Sequence, residues 1–330
     1  MTVLRSSRIM RMTRRDLMLG AAFSAFAQEP KFSTEVNVVT LLATVHDRGG
    51  GVVTNLNRED FLLEEDGVPQ TILYFSRESD LPLTIGILVD TSRRVIESGF
   101  LDKHTGRSGE WLIKDERLAA YTFLDKVLRE GKDLAFVAHF DYRVEVLQDL
   151  TYSRTELASA LDKLAVPGRV GTLLYKAVRD CSEGQMRKQP GRKALIILGD
   201  GIDVRSPTTI ATAIEFAQRA DTIIYSILFN KITKIETIDP GVAAFRPFIH
   251  AIGKRAMQRL ARETGGEYFE FSENRPIEQI FASIEEQLRN QYSIGYTPER
   301  KGGGGQYHKI RLTTRQPGLT VQTRAGYYAD

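Results

Sequence analysis

One stretch constrains this chain more than any other: Leu83-Thr84-Ile85-Gly86-Ile87-Leu88-Val89-Asp90-Thr91-Ser92, a run of apolar and small residues stopped by an acid and two hydroxyls. A continuous apolar run of this length, bounded by polar residues, predicts a strand buried on both faces of a parallel sheet. Such strands point their C-terminal ends at the edge where open α/β sheets bind ligands. Asp90 and Ser92 stand at that edge as neighbouring oxygen donors. Donors that are all oxygen suit a hard dication, Mg²⁺ or Ca²⁺, better than zinc.

After this strand the pattern alternates. Amphipathic helices are expected over 116–129, 172–186 and 276–290, with another ending near 262 before Gly265-Gly266. Ser153-Arg154-Thr155-Glu156 reads as a capping box opening a helix to Leu164, and Ser206-Pro207 as the start of another. Strands are expected over 133–140, 143–147, 193–198, 222–229 and 267–271. Strands alternating with helices predict a doubly wound, mostly parallel sheet of Rossmann-like type, covered by helices on both faces.

The two flanks are different. Residues 36–45, 61–65 and 70–75 read as strands, the last two about the hairpin signal Asp66-Gly67. Period-two alternation returns at 292–296, 308–313 and 319–324, and Gly302 to Gly305 reads as a hairpin connection. Neither flank has enough strands to close a core alone. The economical arrangement joins them in one β-sandwich with the α/β unit inserted. The expected division is an export signal over 1–27, the N-terminal sandwich segment over 28–80, the α/β domain over 81–290 and the C-terminal sandwich segment over 291–330.

Charge bounds the partners. Of the net +3, +4 sits in residues 1–27 (Arg5, Arg8, Arg11, Arg14 and Arg15 against Asp16), so the remainder carries −1. Neither a basic nucleic-acid footprint nor a polybasic membrane patch is indicated. The basic stretch precedes a short apolar run, 17–23, and Ala25-Phe26-Ala27, the form of an export signal. Thr13-Arg14-Arg15-Asp16-Leu17 resembles a twin-arginine signal; a Sec signal is the competing reading. The run is too short to span a bilayer, so the mature chain is expected to lack a transmembrane segment and to lie in the periplasm or on the cell surface. Cys181 is the single cysteine, so no intrachain disulfide forms, and its helical setting suits a small buried hydrophobe. The five histidines show no metal-binding spacing and read as structural or surface residues.

Three separated segments should meet at the sheet edge: Asp90 with Ser92, Thr172, and Asp200 in Leu198-Gly199-Asp200-Gly201. Two carboxylates and two hydroxyls form an acceptor-only cluster of the kind a Mg²⁺ ion takes together with waters. In this order they resemble the metal-ion-dependent adhesion site, D-x-S-x-S…T…D, of the von Willebrand factor type A (VWA) domain. The resemblance is narrower still to exported VWA-related proteins numerous in Acidobacteria. It rests on Asp60-Phe61 with Glu65-Asp66-Gly67, Asp90-Thr91-Ser92, Gly171-Thr172-Leu173-Leu174-Tyr175, Asp200-Gly201-Ile202-Asp203, Thr264-Gly265-Gly266, Gln291-Tyr292-Ser293-Ile294-Gly295-Tyr296 and Gly326-Tyr327-Tyr328. It implies a binding or adhesion module for a protein or peptide, with an acidic partner side chain completing the ion's coordination.

One position departs from the pattern. Arg94 stands where the second serine belongs, and arginine has no lone pair for a cation. Two arrangements are open: the guanidinium turns inward and substitutes for the metal between Asp90 and Asp200, or it faces solvent beside a weakened site. Asp203 is expected either to brace the Asp200 loop or to be solvated. Residues 96–111 and 231–252 read either as loops shaping the binding edge or as ordinary connections. The alternatives are a metal-dependent hydrolase with Asp90 as nucleophile, and a scaffold whose sandwich multimerises. Against an enzyme, Ser92 stands where a haloacid-dehalogenase-type phosphatase needs a second acid. Neither G-x-G-x-x-G after the first strand nor G-x-S-x-G is present.

Overall fold

The computed structural model describes residues 38–77, 81–92, 113–229, 240–298 and 304–329. The chain first lays down β1 (Val39–His46), β2 (Phe61–Glu65), β3 (Val68–Gln70) and β4 (Tyr74–Arg77). β2 and β3 form the expected hairpin, Glu65 opposite Val68. Its two turn residues, Asp66 and Gly67, take φ of 50° and 81°. Both values are left-handed, the condition for a two-residue turn whose twist matches its strands. The single strand expected over 70–75 is instead split. β3 stays with β2, whereas β4 pairs with a strand from the far end of the chain in a different sheet. A strand passing between two sheets must break its ladder, and Thr71 to Leu73 carry that break.

The α/β unit follows as β5 (Leu83–Asp90), α1 (Lys114–Lys126), β6 (Leu134–Phe140), β7 (Val144–Thr151), α2 (Arg154–Asp162), α3 (Leu174–Cys181), β8 (Arg192–Gly199), α4 (Ile210–Arg219), β9 (Thr222–Leu228), α5 (Pro240–Thr264), β10 (Tyr268–Glu270) and α6 (Ile277–Arg289). Its six strands lie in the order β10-β9-β8-β5-β6-β7, parallel except for the antiparallel edge strand β7. This is the doubly wound sheet the sequence predicts. Alternate residues serve opposite faces, as strand geometry dictates. Ile85, Ile87 and Val89 of β5 join Phe123, Leu161 and Phe281 in one core. Leu88 of the same strand joins Phe136, Val178, Ile214 and Leu260 in the other. Gly86 has a steric reason: a Cβ there would lie 2.3 Å from the Phe136 ring.

Two helix boundaries differ from expectation. Thr209, not Ser206, caps α4, its side chain accepting from the Thr212 amide. The Ser206 hydroxyl is engaged elsewhere, taking the Lys176 amide at 3.1 Å. Residues 231–252 are not a loop throughout, because α5 starts at Pro240. The stretches 93–112 and 230–239 lie outside the described residues, as does the export signal expected over 1–27. Among the described residues no helix is long and apolar enough to cross a membrane.

The chain ends in β11 (Tyr292–Tyr296), β12 (Tyr307–Thr314), β13 (Thr320–Gln322) and β14 (Gly326–Tyr328). Two four-stranded antiparallel sheets result, β13-β1-β11-β4 and β14-β12-β2-β3, each mixing strands from both ends of the chain. Leu41, Ala43, Tyr292 and Ile294 of the first pack with Phe61, Leu63, Ile310 and Leu312 of the second in one apolar core. Residues 302–305 therefore do not close a hairpin: β11 and β12, on either side, belong to opposite sheets. Residues 302 and 303 lie outside the described residues.

Candidate functional site

β5 and β8 lie side by side at the centre of the α/β sheet, with Val89 opposite Leu198. From β5 the chain winds outward through β6 and β7, then returns to β8 on the other side and winds away through β9 and β10. The boundary between β5 and β8 is thus the point where strand order reverses, and crevices at such points are where open α/β sheets take ligands. Asp90 ends one of these strands and Asp200 directly follows the other. The Asp90 side chain lies against Gly199: a Cβ on that glycine would come within 2.6 Å of the Asp90 Cβ and 3.0 Å of its Oδ2.

Each carboxylate is held by its own loop. Asp90 Oδ1 accepts from the Ser92 amide and Asp200 Oδ1 from the Ile202 amide, both at 2.9 Å. Such short-range bonds are how aspartate shapes a turn. The Asp200 turn packs directly on α5: the Gly201 Cα, at φ 75°, leaves no room for a side chain beside the Gly253 carbonyl, and a Cβ on Gly253 would sit 2.0 Å from the Asp200 carbonyl oxygen. Asp90, Ser92, Thr172 and Asp200 are all buried. The Ser92 hydroxyl has no hydrogen-bond partner among the described residues.

Thr172 reaches the same edge by a different route. Its amide and carbonyl pair with Val204, just beyond Asp200, while the next amide, Leu173, donates to the Asp141 carbonyl at 2.9 Å. Asp141 directly follows β6, whose last residue, Phe140, lies opposite Asp90. The Thr172 segment is therefore strapped across the β6, β5 and β8 ends. Asp203 completes the strap, its carboxylate taking the Tyr175 amide at 2.9 Å and the Ser206 amide at 3.2 Å. It thus braces the Asp200 loop against the first turn of α3. Burial raises its pKa above the ordinary carboxylate range, against the lowering effect of those amides. Arg94 lies outside the described residues, and so do residues 96–111.

Sequence reasoning passed over a second layer. The Thr91 hydroxyl meets His139 Nδ1 at 2.9 Å and donates to Asp141 Oδ2 at 3.2 Å, all three residues being buried. This pins the turn between Asp90 and Ser92 to the end of β6. Asp141 carries the signal that marked Asp90, an acid at the end of a buried strand. His139 has no such mark, because its role depends on pairing across strands.

No family model matches the chain, and no curated protein matches it in sequence. Among solved structures, it is similar to an aerotolerance-related membrane protein from Bacteroides fragilis, at 11% identity and a TM-score of 0.45, over 62% of this chain and 98% of that one. It is also similar to a von Willebrand factor type A protein from Catenulispora acidiphila, at 12% identity and a TM-score of 0.44, over 90% of this chain and 75% of that one. A third similar structure is proximal thread matrix protein 1 of the mussel byssus, with a zinc-occupied MIDAS motif, at 11% identity and a TM-score of 0.44, over 69% of this chain and 50% of that one.

Proposed function

We propose that this chain is an exported binding module of the VWA type, not an enzyme, which takes a protein or peptide at the C-terminal edge of its α/β sheet through a degenerate metal-ion-dependent adhesion site. The reading is supported by the loops that carry Asp90, Ser92, Thr172 and Asp200, which follow neighbouring strands at the strand-order reversal and are tied by backbone bonds. The donor set fits a hard dication: every candidate ligand is an oxygen, and the buried Ser92 hydroxyl has no protein partner among the described residues. Asp90, Ser92, Thr172 and Asp200 would hold Mg²⁺ or Ca²⁺. The ion's chemistry there is electrostatic, presenting a positive charge to an acidic partner side chain. Arg94 removes one hydroxyl ligand and brings a positive charge of its own, so it weakens the site or replaces the ion.

Calorimetric titration of Mn²⁺ or Mg²⁺ into wild type and Arg94→Ser tests this. Wild type is expected to show no micromolar binding, and Arg94→Ser to gain it. Asp200→Ala added to Arg94→Ser abolishes the gain. A folded Arg94→Ser protein that still ignores both ions overturns the assignment of the site. For the partner, retention of an envelope protein by wild type but not by Asp200→Ala supports binding at this edge. Equal retention by both points to the scaffold reading.

A further inference from the structure

Three motifs singled out in the sequence have no part in the sheet-edge site, and they meet inside the β-sandwich. They are Glu65-Asp66 at the β2–β3 turn, Tyr296 at the end of β11, and Tyr327 in β14. His308 of β12 joins them, directly opposite Tyr327. Its Nδ1 lies 2.8 Å from Asp66 Oδ2 and 3.2 Å from Glu65 Oε1. One nitrogen and two carboxylate oxygens, each from a different residue, thus lie within 4.8 Å of one another. Tyr327 stacks on the imidazole at 5.3 Å, and its hydroxyl reaches Glu65 Oε1 at 3.4 Å.

The cluster is poorly served by protein groups alone. Glu65 and His308 are each 5% exposed. Glu65 has no ion pair among the described residues except the one to His308, and its second oxygen, Oε2, is buried with no hydrogen-bond partner. The fully buried Tyr296 hydroxyl faces Glu65 and Tyr327 without a hydrogen bond of good geometry. Glu65 is the buried member of the pair: its carboxylate sits in the apolar sandwich core with Oε2 unpartnered, while Asp66 reaches the same imidazole from the half-exposed turn. Burying charge of this kind is costly unless it is compensated. A dication is the compensation that uses all three donors at once. Mixed imidazole and carboxylate ligation suits zinc and its neighbours rather than Mg²⁺ or Ca²⁺, with ligand bonds of about 2.0–2.2 Å.

We propose that Glu65, Asp66 and His308 bind a zinc-type divalent transition-metal ion, separate from the sheet-edge site. The ion clamps the β2–β3 hairpin to β12 and thereby fastens the N-terminal segment of the sandwich to the C-terminal one. Three protein ligands leave a fourth position beside the two tyrosine hydroxyls.

The test uses the full chain, stripped with chelator and titrated with Zn²⁺ by calorimetry, then with Co²⁺ followed by visible absorption. Wild type is expected to bind one Zn²⁺ per chain at this cluster, to gain a Co²⁺ d–d band, and to melt at a higher temperature with zinc than without. Loss of an outer-shell partner typically costs about 10–100-fold in metal affinity, so loss of a direct ligand should cost at least about 100-fold. Asp66→Asn and His308→Gln are each expected to show that loss and to lose the d–d band. Asp66 sits half-exposed on the turn, so Asp66→Asn carries the test if His308→Gln does not fold. Asp200→Ala leaves the zinc affinity unchanged, which separates failure here from failure at the sheet edge. Absence of zinc binding by wild type, or full affinity retained in folded Asp66→Asn, overturns the proposal.

Discussion

Gly253→Ala is the sharpest probe of how the Asp200 loop is placed. Gly253 lies within the helix Pro240–Thr264, and by helix propensity alone alanine there should stabilise the protein by about 1 kcal/mol. The packing predicts the opposite sign. The added Cβ would sit 2.0 Å from the Asp200 carbonyl oxygen, where ordinary contact needs about 3.5 Å, so loop and helix must part by more than about 1 Å. Overpacking costs about 1–3 kcal/mol, and because the obstacle is a backbone carbonyl rather than a flexible side chain the cost falls in the upper part of that range, about 2–3 kcal/mol, above the propensity gain. The expected net loss is about 1–2 kcal/mol in urea unfolding at 25 °C. The displacement also shifts Asp200 from its position beside the β5 and β8 ends, so metal binding gained in Arg94→Ser should weaken on adding Gly253→Ala. Gly184 is an internal control: it lies in the helical turn Ser182–Met186, and a Cβ there meets nothing within 4 Å. Gly184→Ala should be neutral or stabilising. If Gly253→Ala stabilises the protein as much as Gly184→Ala does, the loop does not rest on this helix and the account of the site's geometry fails.

Three further outcomes follow from buried polar groups. Burial alone would raise the Asp133 pKa, but the guanidiniums of Arg289 and Arg129 and the Leu83 and Arg129 amides hold it at about 2. A carboxyl depressed on folding contributes stability that is complete above its unfolded value of 3.8 and is lost as pH falls through the folded value. Asp133→Asn should therefore be less stable than wild type by about 2 kcal/mol at neutral pH. Urea midpoints should show that gap closing as pH falls from 3.8 toward about 2; a gap independent of pH would contradict the pairing. Thr91→Val, which removes the buried hydroxyl shared by His139 and Asp141, should cost about 1–3 kcal/mol, and Thr91→Ser should recover most of it, both read from thermal melts. Tyr292→Phe removes a hydroxyl that takes the Leu56 amide at 3.0 Å and donates to the Val53 carbonyl at 2.9 Å. A loss of about 1–3 kcal/mol is expected in the same assay, and a neutral result would mean that water replaces the hydroxyl.

Strand identity and sheet class were legible because they depend on local pattern. The run from Leu83 to Asp90 could be buried on both faces only in a helix-covered sheet, whatever the rest of the chain did. Asp90 and Asp200 were legible for the same reason, each being the acid that stops such a run. The hairpin at Asp66-Gly67 follows from two residues that tolerate positive φ. The path of 68–77 was not legible, because which sheet a short strand joins depends on partners more than two hundred residues away in sequence. Residues 302–305 misled likewise: glycines permit a hairpin or a crossover, and only the partners of β11 and β12 decide between them.

Local sequence determined which side chains stand at strand ends and turns, since backbone dihedrals and the alternation of faces are set within a few residues. Tertiary structure alone decided which of those ends become neighbours. It brought Thr91 to His139 and Asp141, pressed the Asp200 loop onto Gly253, and gathered Glu65, Asp66 and His308 from opposite ends of the chain. Contacts of that kind depend on strand order and on space left by distant residues, quantities that no window along the chain contains.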